Sequence, residues 1–262
     1  MEIIDIYDAA FNHKGTMERK ESRKHPVWSH TSHTWIFNPD TNMVLLQKRS
    51  PHLHMYPDTF FASAGGAYGA GEDLHHATRE VEEELNISLK FDDMAHLGRR
   101  MSVLTLPNGD ISRAFTDVFF YKNTQKITDY TPDHNEVYGL YEAPIDMLEQ
   151  LFSKQIETAR LDGILYNPET KTWQDHTDSA SAHDFFPQMD QYYLKMMIMG
   201  KRYLQDQPIC ILKISRQKKG SVASLFIIID AFSLRFLKLH IDLQPIGLAD
   251  VRPMMSPLLV SR

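Results

Sequence analysis

"SAGGAYGAGEDLHHATREVEEELNI" (residues 63–87) sets a glycine-rich run directly before a segment crowded with glutamates. Gly65, Gly66, Gly69 and Gly71 fall within seven residues, a composition that lets backbone approach a ligand closely. Behind them Leu74, Ala77, Val81 and Leu85 recur at helical spacing and predict a helix over roughly residues 73–86. At about 100° per residue, Glu80, Glu83 and Glu84 share one arc beside that apolar stripe, while Glu82 points elsewhere. Like charges three or four residues apart each destabilise a helix by roughly 0.2–0.5 kcal/mol, and Arg79, four residues before Glu83, offsets only part of this. A hard divalent cation would turn the repulsion into affinity, since Mg²⁺ takes one or two protein carboxylates together with phosphate oxygens and water. The helix by itself reads first as a solvated acidic face, as most glutamate runs do; the glycine loop in front of it overturns this in favour of a metal and a phosphate. The loop is not a P-loop, because no Gly-Lys-Ser/Thr follows, and it lacks the Gly-x-Gly-x-x-Gly spacing of a dinucleotide fold.

Composition narrows the partners. The 262 residues are 42% hydrophobic and 24% charged, ordinary for a globular domain, with a net charge of −6. No broad cationic excess is present to gather a nucleic acid polymer or an anionic membrane. The single cysteine, Cys210, permits no intrachain disulfide, which fits a reducing compartment and a cytoplasmic location. The first twenty residues lack the apolar core of an export signal. The longest apolar run, "VASLFIIIDAFSL" (222–234), is interrupted by Asp230 and is too short to span a bilayer.

Around the opening stretch the chain reads as alternating strands and helices. "EIIDIYD" and the turn at residues 12–15 suggest a hairpin. Strands are expected at 33–38 and 43–48, around the turn Asn38-Pro39-Asp40, and "TFFASAGG" reads as a short buried strand. "AHLGRRMSVLTL" and "SRAFTDVFFYK" form a hairpin across Pro107-Asn108-Gly109. "EVYGLYEAP" is a strand and "PIDMLEQLFSKQ" a helix opened by Pro144. Residues 161–184 are polar and loop-like, and residues 186–207 have helical apolar spacing. The methionine and aromatic stripe there reads as helix core, with a homodimer surface as the alternative. A composition shift places a domain boundary near residue 207, with 208–262 as a C-terminal tail.

Glycine loop and glutamate helix together resemble the Nudix box, Gly-x5-Glu-x7-Arg-Glu-U-x-Glu-Glu-x-Gly-U with U aliphatic. Gly66, Glu72 and the run Arg79-Glu80-Val81-Glu82-Glu83-Glu84-Leu85-Asn86-Ile87 follow it. The preceding "LLQKRSPHLHMYPDTFFASAGG" is similar to the Nudix branch related to isopentenyl-diphosphate isomerase, and the resemblance covers roughly residues 1–205. It implies an α/β/α sandwich with a mixed β-sheet and a hydrolase that splits a diphosphate linkage in a small molecule with Mg²⁺ or Mn²⁺. By the same resemblance Glu80, Glu83 and Glu84 would hold metal, aided by the carbonyl of Gly66. Glu83, Glu84 and Glu136 are the candidate catalytic carboxylates, Glu136 as a base from a later loop. Gln47 and Arg49, on the strand before the loop, are candidate substrate contacts, Arg49 as a bidentate phosphate clasp.

The chain departs from the pattern twice. Six residues instead of seven separate Glu72 from Arg79, which rotates the helix start by about 100° and puts a Glu72–Arg79 contact in question. Asn86 replaces the last glycine, at a position where Asn best substitutes in the left-handed conformation. Two other functions stay open. His25, His30, His33, His52, His54, His75 and His76 raise a zinc site or an isomerase metal site, although the spacing is not that of a zincin. An isomerase of that branch would carry a cysteine in the strand before the box, where this chain has Ala62, Ser63 and Ala64. A non-catalytic binding protein is the third reading.

Overall fold

The computed structural model describes residues 2–209. Its first element is a hairpin of β1 (Ile3–Tyr7) and β2 (His13–Glu18). The turn lies at residues 8–12, earlier than the sequence suggests. There the Asp8 carboxylate accepts the amides of Ala10 and Asn12, and Phe11 adopts φ 60°. That Asp-anchored turn reverses the chain before His13, so Gly15 sits within β2. One helical turn, α1 (Arg19–Ser22), leads into the main sheet.

The sheet contains β3 (Ser29–Asn38), β4 (Met43–Arg49), β5 (Phe60–Phe61), β6 (Ala95–Thr105), β7 (Ile111–Lys122), β8 (Val137–Pro144), β9 (Thr158–Asn167) and β10 (Thr172–Ser181). Its order is β10-β9-β8-β4-β3-β7-β6, with β5 paired to β4. β3 and β7 run parallel and the other described pairs are antiparallel, so the sheet is mixed as expected. β3 begins four residues before its expected start because Ser29 to Ser32 already pair with Ala114 to Asp117.

Successive strand residues face opposite layers. Trp35, Phe37, Val44 and Leu46 pack with α3 (Ile145–Phe152) and α4 (Tyr192–Leu204), whereas Ile36 and Leu45 pack with Val81 and Leu85 of α2 (Ala77–Leu85). Helices thus cover both faces, giving the α/β/α sandwich. Tyr192, Tyr193, Met196 and Met197 are buried in the larger core, so the methionine and aromatic stripe is helix core. Among the described residues no helix is long and apolar enough to cross a membrane.

Residues 161–184 correct the sequence reading. They are not a loop: β9 and β10 form a ten-pair antiparallel hairpin at the sheet edge. In β9 Ala159, Leu161 and Ile164 are buried, while most of β10 is exposed. An edge strand needs few apolar side chains and is protected from further pairing by polar ones, so composition alone disguised it. The domain limit at residue 207 and the tail from 208 fall mostly outside the described residues, although Ile209 still packs on the core.

Candidate active site

The glycine loop is laid along the edges of β3 and β1 by backbone pairing. Ser32 donates to the Gly66 carbonyl (2.9 Å), Tyr68 to the His30 carbonyl (3.0 Å) and Ala70 to the Ile3 carbonyl (3.0 Å). Gly71 takes φ +80° and donates to Asp5 (2.8 Å), turning the chain toward the helix. A 3-10 turn at Leu74–His76, capped by Asp73, precedes α2, and Asn86 closes α2 with φ 54°. The left-handed Asn86 is the one anticipated from the sequence.

The Glu72–Arg79 contact forms despite the missing residue. Arg79 donates to both Glu72 oxygens, from Nε and Nη2, each at 3.0 Å. The 3-10 turn winds about 120° per residue against 100° for an α-helix, which recovers roughly 60° over three residues. The same guanidinium reaches Glu80 (2.8 Å) and Glu83 (2.6 Å), so a single cation holds three carboxylates of the box. Burial opposes the charge on Glu72, but the Gly69 amide and Arg79 keep its carboxyl below the usual range.

Two carboxylates are driven into the protein. Glu80 is 7% exposed and Glu84 4%. Glu84 Oε2 accepts the Gly65 amide (2.9 Å) and the Gln47 side-chain amide (3.2 Å). Burial, then the charge on Glu80, pushes the Glu84 carboxyl well above the usual range, and the Gly65 N–H only partly counters this. Burial likewise pushes Glu80 up to about 7, against the attraction of Arg79 and Arg19. Glu83 stays at the rim with its side chain 55% exposed, and Glu82 faces solvent. Glu136, just before β8, is raised by desolvation and by Asp133, and its charge is felt at both Glu80 and Glu84.

These groups share a cleft of about 810 Å³ whose lining includes Gly66, Glu80, Glu83, Glu84, Glu136 and Arg49. One sequence assignment changes character. Gln47 is 1% exposed and lies outside the lining, where its side-chain amide orients Glu84. The Gly66 carbonyl accepts the Ser32 amide and keeps a second lone pair; Gly66 also matters for the side chain it lacks, since a Cβ there would overlap the Glu80 carboxylate. Arg49 does face the cleft. It donates twice to the Met55 carbonyl (3.2 and 3.0 Å) and lies 5.3 Å from the Phe186 ring centre. Sequence reading missed Arg19 and Arg23, which also line the cleft, and His33, named there only among metal candidates, lines it as well. Nothing in "ERKESRK" separates a cleft arginine from a solvated one.

Among the described residues the histidines converge on no metal site. His30 bonds Asp117 (2.6 Å), buried His33 bonds the Tyr192 hydroxyl (2.9 Å), and His75 and His76 contact Asp73. Among the described residues no three His, Cys, Asp or Glu side chains converge at metal-ligand geometry. Mg²⁺ does not require such a cage, because substrate phosphates and water complete its shell. The residues present fit a hard cation: Glu80 and Glu84 are buried oxygen donors whose proton affinity is raised, that of Glu84 partly by the charge of Glu80.

That burial predicts how stability responds to pH. Glu80 keeps its proton in the fold up to about pH 7, against 4.5 ordinarily. Its burial is therefore harmless below about pH 4.5, costs progressively more stability as pH rises from 4.5 to 7, and levels off above that at about 3 kcal/mol. In EDTA, Glu80→Gln is expected to raise Tm little at pH 5 and increasingly up to about pH 7, with little further change by pH 8. Parallel Tm-against-pH curves for the two proteins would show that Glu80 is not held as described.

The family model of the NUDIX domain matches residues 30–159. An uncharacterized Nudix hydrolase of Clostridium acetobutylicum is 28% identical over 194 residues, covering 73% of this chain and 93% of that protein. Nudix hydrolase 3 of Arabidopsis thaliana is 29% identical over 127 residues, which are 47% of this chain and 16% of that protein. The crystal structure of DR0079 from Deinococcus radiodurans has a TM-score of 0.44 and 19% identity, covering 58% of this chain and 90% of that one.

Proposed function

Since the chain belongs to the Nudix superfamily, we propose that it is a Mg²⁺- or Mn²⁺-dependent hydrolase of a diphosphate linkage in a small molecule. The observation that carries this reading is the buried pair Glu80 and Glu84, held behind a glycine loop at the edge of a polar cleft. Glu80, Glu84 and the rim carboxylate Glu83 are the residues that would hold metal. A bound divalent ion supplies charge neutralisation at the phosphate oxygens and a more acidic water.

The remaining work falls to side chains. Arg79 gathers Glu72, Glu80 and Glu83 and prevents them from splaying apart in the metal-free protein. The Gly65 amide and Gln47 fix one oxygen of Glu84. Glu136, whose proton affinity is raised and which lines the same cleft, would accept a proton from the attacking water. Arg49, oriented by the Met55 carbonyl, offers its remaining nitrogen to a phosphate oxygen.

Isomerase chemistry has less support. At the strand preceding the loop, Ser63 is fully buried and bonded to the Ile36 amide and the Leu45 carbonyl, so it is committed to structure. A screen of nucleotide, sugar and lipid diphosphates with Mg²⁺ and with Mn²⁺, read by phosphate release and mass spectrometry, tests the hydrolase reading. Metal-dependent cleavage at a P–O–P bond is expected. Solvent deuterium entering an allylic product, without hydrolysis, would replace it with the isomerase.

The domain limit belongs to this reading too. A chain ending after Gln207 is expected to keep the activity of the full chain. Loss of activity in the folded shorter chain would assign residues 208–262 a part in the reaction.

A further inference from the structure

The cleft carries cationic as well as acidic side chains, and a metal explains only the acidic ones. Its lining includes Arg19 on α1, Arg23 at its C-terminal cap, and Arg49 on β4. Arg19 is paired with Glu2 (2.9 Å), and Arg49 is tied to a neutral carbonyl. The Arg23 guanidinium makes no hydrogen bond or ion pair among the described residues. Burial holds Arg23 and Arg49 below the usual guanidinium range. Arg19 and Arg49 add repulsion at Arg23, which the charges of Glu2 and Asp110 oppose.

Unpaired, partly desolvated guanidinium groups are unfavourable unless an anion joins them. A metal bound at Glu80 and Glu84 cannot supply that anion. Arg19 acts on Glu80 and Arg49 on Glu84, so a diphosphate drawn to the metal comes within their influence, whereas the charges that act most on Arg23 are Arg19, Glu2, Asp110 and Arg49, none of them a metal-site carboxylate. Phosphate is the anion whose oxygens match guanidinium forks, and clustered arginines suit a group carrying two charges.

We propose that Arg23, with Arg19 and Arg49 beside it, binds a phosphate group of the substrate additional to the diphosphate that is cleaved. This deepens the hydrolase reading and rests on it for the reaction. The substrate class is then a diphosphate compound bearing a further phosphate, either along the same chain or as a monoester on the second moiety.

Two measurements on the full chain test this. Inorganic phosphate titrated in EDTA, read by calorimetry, isolates the arginines from the metal. Arg23→Gln is expected to weaken phosphate binding at least tenfold, and Arg23→Lys by less, because charge remains while the fork is lost. Lys24→Gln removes the same charge from an exposed residue paired with Glu21 outside the lining, and should bind like the wild type. Equal loss in Arg23→Gln and Lys24→Gln, with both proteins folded, would overturn the proposal.

The second measurement compares kcat/KM for matched compounds with Mg²⁺: two against three phosphates in the chain, and a second moiety with and without a phosphomonoester. At least one pair should show a tenfold or larger preference for the extra phosphate, carried mainly by KM and reduced toward one in Arg23→Gln. Which pair shows it identifies the source of the phosphate. Ratios near one for both pairs in the wild type would overturn the proposal. No turnover of any compound, alongside Arg23-dependent phosphate binding, would overturn the hydrolase reading and leave the anion site standing.

Discussion

Glu84→Gln is expected to lower turnover by three or more orders of magnitude while leaving the metal-free protein as stable as the wild type, or more stable. The change removes a charge at nearly constant volume from a position 4% exposed. The new side-chain oxygen can still accept the Gly65 amide that Glu84 holds at 2.9 Å. Burial and the neighbouring Glu80 already push the Glu84 carboxyl well above the usual range, so its charge is unwelcome until a cation arrives. Mg²⁺ or Mn²⁺ should therefore raise the wild-type Tm, by about 2.7 kcal/mol of stability at a hundredfold excess over Kd. The variant should lose most of that shift. Glu82→Gln removes an equivalent charge from the solvent face of the same helix and should change neither quantity much. Equal responses at Glu82 and Glu84 would reduce α2 to a solvated acidic helix and remove its chemistry.

The adjacent glycines should fail in opposite ways. The atoms nearest a Cβ on Gly66 are those of the Glu80 carboxylate, the far end of a flexible side chain. Gly66→Ala is therefore expected to fold with Tm close to the wild type, while displacing Glu80 and lowering activity by about 10²-fold, the scale of misplacing a reacting group by an ångström. On Gly65 the new atom would stand 2.6 Å from the Ser32 carbonyl oxygen and 3.3 Å from the His33 Cα, which are backbone atoms. The pairing of loop and strand must then part, and Gly65→Ala should lose about 1–3 kcal/mol of stability along with activity. Thermal unfolding and a turnover assay on both variants check this. A destabilised Gly66→Ala beside a stable Gly65→Ala would contradict the described geometry.

Much of this molecule is written in local pattern. The apolar spacing of Leu74, Ala77, Val81 and Leu85 specifies a helix with one buried side wherever it sits, and the phase of that stripe places Glu80 and Glu84 at its edge and Glu82 outside. Asn86 could be assigned to the left-handed conformation for the same reason, since steric limits on φ act within a residue. The strands of the sheet centre were legible because central strands must be apolar. β10 was not, because an edge strand is defined by its neighbour and not by its own side chains.

The site divides along the same line. Residue order alone determined which carboxylates share a helix face, that a glycine loop precedes them, and that a hard cation suits them. Only the tertiary structure decided that Arg79 still reaches Glu72 across a shortened spacing, because a 3-10 turn supplies the rotation. It also decided that Gln47 bonds Glu84 and that Arg19 and Arg23 line the same cleft as the carboxylates. Periodicity reports the direction of a side chain within its own element. What it meets there depends on strand register and loop path, which are set by packing between residues far apart in the chain.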